Sequence, residues 1–271
     1  MNSESRVFFF AALACEAKPL IARYQLKKHT ETQPFALYSH DGIYLIVTGV
    51  GKIAMSAGIG FSQGLWGSHN PILINAGIAG HRDHPVNTPF IGHKIIDADT
   101  KRSFYPPLTY TLPCRSETIL TTSHPQLDYD HGHLCDMEAS AFYESAGRFS
   151  SGELIQCFKV VSDNPSQRAD LLKADNVTHL IEQNLPALEA LITELRVLQS
   201  VLTNEQDLKL REMTDKFRFS VTEKAYLKKL LQRWQVVGSN QTLDINLAHV
   251  ISGKDLLKLL NQKLAALDYD L

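Results

Sequence analysis

The sequence predicts an α/β domain, a mixed sheet with helices, followed by a small all-helical C-terminal appendage. Three observations carry that prediction. Apolar runs of strand length recur through the first 161 residues, each bounded by Gly, Asp, Asn or Pro. Helical patterns lie between several of these runs, which is the alternation of an α/β sheet. Beyond Leu171 the strand-like runs stop, and leucines at helical spacing take over.

The first run is "VFFFAALAC", starting at Val7. It is too short to cross a bilayer. Glu4 and Glu16 flank it, and Pro19 and Arg23 follow, which is unlike a signal peptide. Residues 7–14 therefore read as a strand buried on both faces, in a cytoplasmic protein. Residues 43–48, 72–76, 94–98 and 155–161 read as further strands. Residues 53–66, rich in Ala, Gly and Met, and residues 138–149 read as helices. Leu188, Leu191, Ile192, Leu195 and Leu198 form a helical stripe that closes the domain, so a boundary is expected near residue 198. The domains are then 1–198 and 199–271. In the second, Ser220 with Glu223 makes a capping box ahead of Leu227, Leu230, Leu231 and Trp234. Ser252 with Asp255 starts another helix, with Leu257, Leu260, Leu264 and Leu267 on its stripe.

A chain of 271 residues with 44% hydrophobic content can bury a substantial core. Its net charge of −2 gives no global pull toward nucleic acid or a membrane surface, and neither is expected as a partner. Cys15, Cys114, Cys135 and Cys157 are scattered without a C-x-x-C pair. That argues against a zinc centre or disulfide framework and fits a reducing compartment.

Chemistry is concentrated at the strand ends. "ALACEAKPLI" (12–21), "TGVGKIAMSAG" (48–58), "INAGIAG" (74–80) and "VVSDNP" (160–165) each follow an apolar run. Glycines there let backbone N–H groups approach a ligand, and N–H groups at a helix start favour an anion or a hydroxyl oxygen. "GVGK" lacks the spacing of a Walker A loop, and Lys52 reads as a solvated charge. "DMEASAFY" (136–143) opens a helix with two acids that point in different directions.

Taken in order, these stretches resemble the purine and uridine phosphorylase family, the superfamily of nucleoside phosphorylases and methylthioadenosine/S-adenosylhomocysteine nucleosidases. The resemblance covers roughly residues 6–198 and is nearest to divergent, phosphorylase-like members; the helical tail has no counterpart in it. It implies a nucleoside-phosphorylase-type mixed sheet flanked by helices. It also implies cleavage of the N-glycosidic bond of a purine nucleoside or a nucleoside-like compound. Glu138 would grip the ribose 2′- and 3′-hydroxyls, with Met137 packed on the sugar; a carboxylate suits a vicinal diol because it accepts two hydrogen bonds. A glutamate at a helix start also complements the helix dipole. Asp136 then reads as a helix cap. Asp163 would protonate or hydrogen-bond the leaving base, with Ser162 orienting it; "SDNP" is equally a good turn sequence. Gly77, Ile78 and Gly80 would form the turn beneath the sugar or the nucleophile, and Gly51 would belong to a second such turn. The resemblance implies a homodimer through the helix at 53–66, and no metal or organic cofactor.

The departures from the family pattern bear on the nucleophile. Hydrolytic members activate water with a glutamate after the first strand, and the best register puts Ala17 there; Glu16 takes that role only after a one-residue shift, and otherwise is a structural loop acid. Ile78 stands where the family has a hydroxyl. Residues 97–136 are short, missing a helix and strand, and offer no evident aromatic to stack on the base. Phosphorolysis is therefore the leading expectation, with inorganic phosphate as co-substrate and Lys52, Arg82 and Arg102 as candidate contacts. Hydrolysis, or a catalytically degenerate nucleoside-binding protein, are the alternatives. Arg102 sits in "TKRSFYPP", a stiff aromatic loop suited to a substrate contact or to ordinary packing. His81, Arg82 and His84 read as an exposed loop without zinc-ligand spacing. Lys224, Lys228, Lys229 and Arg233 read as a solvated helix face.

Overall fold

The computed structural model describes residues 6–267, apart from 32–33, 68–69, 203–204, 238–246 and 248–249. The chain divides into two compact units after Ser200.

In the first unit the elements run β1 (Val7–Ala11), α1 (Ala14–Arg23), β2 (Lys27–Lys28), β3 (Ala36–His40), β4 (Ile43–Val47), α2 (Lys52–Trp66), β5 (Ile72–Gly80) and β6 (Pro89–Asp97). They continue through β7 (Ser103–Phe104), β8 (Arg115–Thr121), β9 (Leu134–Asp136), α3 (Ala139–Ala146), β10 (Ile155–Asp163), α4 (Ala174–Gln183) and α5 (Leu185–Leu202). The strands form one mixed sheet among the described residues. β1 lies between β4 and β5, parallel to both, and each of its five residues is fully buried. That is why its sequence is a continuous apolar run rather than an alternating one. The β5–β10–β6–β8–β9–β5 pairings close a circuit at one end of the sheet. The core packs Phe8, Phe10, Met55, Ile59, Phe90, Ile119, Phe142 and Ile155 together, joining α2 and α3 to the strands.

The structure departs from the sequence reading in three places that matter for the site. The first strand ends at Ala11, and residues 14–23 are helical despite Pro19. Pro19 cannot donate to the carbonyl of Cys15; the Thr178 hydroxyl donates to that oxygen instead, at 3.0 Å. The interval 97–136, expected to lack a strand, contains β8, paired in parallel with β6 and β9. Its "RSETILT" is half polar and only partly buried, so it carried no apolar run to detect. Finally, His81 is buried rather than exposed.

The second unit holds α6 (Glu205–Lys216), α7 (Val221–Val237) and α8 (Gly253–Leu267). Met213, Leu227, Leu230, Leu231, Trp234, Leu256, Leu260 and Leu264 form its own core. Both expected caps are present: the Ser220 hydroxyl receives the N–H of Glu223 while Glu223 accepts that of Ser220, and the Ser252 hydroxyl receives the N–H of Asp255. The side chain of Leu267 lies outside the described residues.

Candidate active site

The ends of β1, β5, β8, β9 and β10 converge on a cavity of about 190 Å³. Its walls include Leu13, Glu16, Ile78, Gly80, Gln126, Asp136, Met137, Glu138, Ser162 and Asp163. Loops that leave a parallel sheet at its carboxyl edge commonly build such a site.

Glu16 arrives by way of α1. The helix starts at Ala14, so Glu16 sits in its first turn, and its carboxylate reaches back to the N–H of Leu13 at 2.8 Å. The other oxygen accepts the N–H of Ile78 at 3.0 Å. Two backbone donors thus hold a buried carboxylate against the end of β5. Gly77 is required below it, because a Cβ there would lie 2.6 Å from Glu16 Oε1. Ala17, one helical step of about 100° further round, is fully buried in the core and absent from the cavity wall. The register that put Ala17 in the glutamate position is therefore corrected: helical geometry turns Glu16 to the cavity and Ala17 away. Burial pushes the Glu16 carboxyl above its ordinary range, against the pull of Lys159 and the backbone donors.

Glu138 is the N-cap of α3 and lines the cavity beside Met137. Its Oε1 accepts the N–H of Gly51 at 2.7 Å. Gly51, with φ of +100°, turns that N–H toward the acid in a conformation L side chains rarely adopt. So Gly51 acts on Glu138 and is not itself part of the cavity wall. Burial first, and then the neighbouring Asp136, push the Glu138 carboxyl up to about 7.

Asp136 faces inward and organises the helix start. It accepts the N–H of Ala139 at 2.9 Å and the Thr121 hydroxyl at 2.7 Å, and Thr121 in turn accepts the N–H of Ser140 at 3.0 Å. Two of the orphan donors of α3 are satisfied this way. Asp136 Oδ2 also lies 2.9 Å from Lys159 Nζ, both side chains being almost wholly buried. Burial pulls the Lys159 ammonium down, but Asp136 and then Glu138 outweigh it and raise it above the ordinary lysine range. Sequence reasoning missed Lys159, although a lysine within the otherwise apolar "IQCFKVV" was a visible anomaly.

Asp163 ends β10. Ser162 donates its hydroxyl to Oδ1, and the Tyr129 hydroxyl donates to Oδ2 at 3.0 Å. Gly80 packs against the same carboxyl: a Cβ there would meet Oδ2 at 2.6 Å. Tyr129 was not anticipated, since nothing in its loop sequence marks it.

The candidate cations do not reach the cavity. Lys52, the first residue of α2, pairs with Asp97 at 3.0 Å and Asp99 at 2.6 Å. Arg82 pairs with Asp83 at 3.1 Å. Arg102, expected at the substrate, is exposed and paired with Glu144 at 2.5 Å, outside the cavity wall. The backbone bend after β6 turns it outward: Asp97 gathers the N–H groups of Asp99 and Thr100, and Arg102 follows at the surface. The cavity wall holds no Lys, Arg or aromatic side chain among the described residues.

His81, His84 and Glu117 bring three ligand-type atoms within 4.8 Å of one another, the third supplied by β8. The trio does not fit a metal. His81 Nδ1 accepts the N–H groups of Asp83 and His84 at 2.9 and 3.0 Å, which leaves its proton on Nε2 and no lone pair to give. Burial, then His84, lowers the pKa of His81.

No protein-family model matches the chain, and no curated protein matches its sequence. Solved structures do match its fold. The apo 5′-methylthioadenosine nucleosidase of Arabidopsis thaliana superposes with a TM-score of 0.56 at 18% identity, over 75% of this chain and 98% of that one. The 5′-methylthioadenosine/S-adenosylhomocysteine nucleosidase of S. pneumoniae, with a transition-state inhibitor, gives 0.59 at 14% identity, over 70% and 99%. The Helicobacter pylori enzyme gives 0.58 at 11% identity, over 71% and 100%. The fold is therefore that of these nucleosidases, as the sequence resemblance implied.

Proposed function

We propose that this chain hydrolyses the N-glycosidic bond of a purine ribonucleoside. The observation that carries the proposal is the buried Glu16 carboxylate, held by two backbone N–H groups in the wall of a cavity that also presents Glu138 and Asp163. The nucleosidase fold of the structural neighbours supports it.

Each residue has a distinct task in this reading. Glu16 Oε1 and Oε2 each accept one backbone N–H, and a carboxylate has lone pairs to spare for a water. Its raised pKa makes it a stronger base than an ordinary glutamate. Glu138 accepts the ribose hydroxyls, and Met137 packs beside the sugar. Asp163, with Ser162, stabilises the base as the bond to C1′ breaks and electrons move onto the ring. As the C1′–N bond breaks, Asp163 gives a proton to the base; the water oxygen bonds to C1′ and passes one proton to Glu16, and solvent carries a proton back to Asp163.

Water is favoured over phosphate on electrostatic grounds. Phosphate requires cations or clustered N–H donors, and Lys52, Arg82 and Arg102 are engaged elsewhere. The wall presents the carboxyl groups of Glu16, Asp136, Glu138 and Asp163 and, among the described residues, no cation to hold it, and the nearby buried Lys159 is already paired. The sequence-based preference for phosphorolysis gives way for this reason. The alternative of a binding protein without a nucleophile rested on Ala17 and Ile78; Ala17, turned into the core, no longer supports it, while Ile78 does line the cavity.

The test is free-base release from adenosine, inosine and methylthioadenosine by the wild type and by Glu16→Gln. Turnover by the wild type, reduced on the order of 10²- to 10⁴-fold in the variant, supports the proposal. Calorimetric binding without turnover by the wild type rejects it. We further infer a homodimer through α2, where Ile53 is 89% and Leu65 49% exposed; Ile53→Glu would then lower the mass measured by light scattering. A cytoplasmic location is proposed on the free, partly buried cysteines. No described helix is long and apolar enough to cross a membrane.

A further inference from the structure

Tyr129 lies outside the wall of the main cavity, yet it is buried and tied to the group proposed to act on the leaving base. Its hydroxyl has two partners. The N–H of Ala169 donates to it at 3.0 Å, and it donates to Asp163 Oδ2 at 3.0 Å. The Ala169 bond fixes the direction of the phenolic proton, because the oxygen that receives the amide hydrogen must turn its own hydrogen toward the carboxyl. Tyr129 thus links the loop after β8 to the segment after β10.

Two further features point the same way. The backbone of Tyr129 has φ of +53°, a left-handed conformation uncommon for a bulky side chain and often found at functional positions. Asp163 Oδ2 is also the oxygen pressed against Gly80. Enclosed by Gly80 and bonded by Tyr129, Oδ2 is anchored. Oδ1, bonded to the Ser162 hydroxyl, is left as the oxygen that carries a proton to the departing base.

We propose that Tyr129 is a positioning residue: it anchors Asp163 Oδ2 so that Oδ1 meets the leaving purine. This rests on the nucleoside-cleavage reading of the site. Burial raises the pKa of the Tyr129 phenol, so it stays protonated as a donor.

The test is Tyr129→Phe, assayed beside Asp163→Asn. Phenylalanine keeps the ring and removes only the hydroxyl. With adenosine or inosine, kcat should fall on the order of tenfold, the effect of one hydrogen bond to a charged group, while KM changes by less than twofold. With 4-nitrophenyl riboside, whose leaving group departs without a proton, kcat should fall less than twofold. A purely structural role would lower both substrates alike and would overturn the proposal. So would full kcat on the purine nucleosides while Asp163→Asn is impaired. If Asp163→Asn is itself fully active, the reading of Asp163 fails first, and the role of Tyr129 falls with it.

Discussion

Glu138 gives the most quantitative handle on the site. Its carboxyl is pushed from the ordinary 4.5 up to about 7, chiefly by burial and secondly by Asp136. A raised folded-state pKa contributes stability that is fully present below about 4.5 and lost as the pH rises through 7. At roughly 1.4 kcal/mol per pH unit, the loss between pH 5 and pH 8 is about 2–3 kcal/mol. Glu138→Gln removes the titration while keeping an oxygen for the Gly51 N–H. Urea unfolding of the wild type and the variant should therefore give a stability difference that moves in favour of the variant by about 2–3 kcal/mol from pH 5 to pH 8. Groups distant from Glu138 are common to both proteins and cancel, and Lys159, which despite its burial Asp136 and then Glu138 raise above the ordinary lysine range, does not titrate between these pH values. The same substitution should weaken nucleoside binding, because an amide accepts through one oxygen only, and a 2′-deoxynucleoside should lose affinity with the wild type but little more with the variant. An unchanged stability difference at the two pH values would refute the argument that Glu138 is held as a costly buried acid.

Asp163→Asn should lower turnover of ordinary purine nucleosides on the order of 10²- to 10⁴-fold, with rescue by a good leaving group in the same assay. Gly77→Ala and Gly80→Ala would each drive a Cβ to 2.6 Å from Glu16 or Asp163; kcat should fall in both, with far-ultraviolet circular dichroism unchanged. Lys159→Met leaves Asp136 buried without its cation and should cost about 3–5 kcal/mol in a urea melt, whereas pairing it with Asp136→Asn should recover part of that loss. Activity should rise with pH through a limb above the ordinary carboxylate range, where Glu16 ionises, and that limb should vanish in Glu16→Gln.

The buried strands were legible because burial on both faces forces unbroken apolar runs, as in β1 and β10. The stripe of α5 and the caps of α7 and α8 were legible because capping needs particular residues at fixed spacing. Edge and barrel strands were not: β3 and β8 are mixed in polarity, and their pairing is decided by partners distant in sequence. At the site, Glu138, Met137, Ser162 and Asp163 were marked by local motifs, and the structure brings them to one cavity. Glu16 was ambiguous because Pro19 hid the helix that orients it. Tyr129 and Lys159 were missed because their meaning comes from contacts that span 34 and 23 residues, respectively, to Asp163 and Asp136.

The central claim is that water, activated by Glu16, attacks C1′ in a site closed to phosphate. Base release from a purine nucleoside should be measured in phosphate-free buffer and again with millimolar phosphate, with the sugar product identified in each. Free ribose at the same rate in both buffers is the expected result. Ribose 1-phosphate, formed at a rate that depends on phosphate, would contradict it.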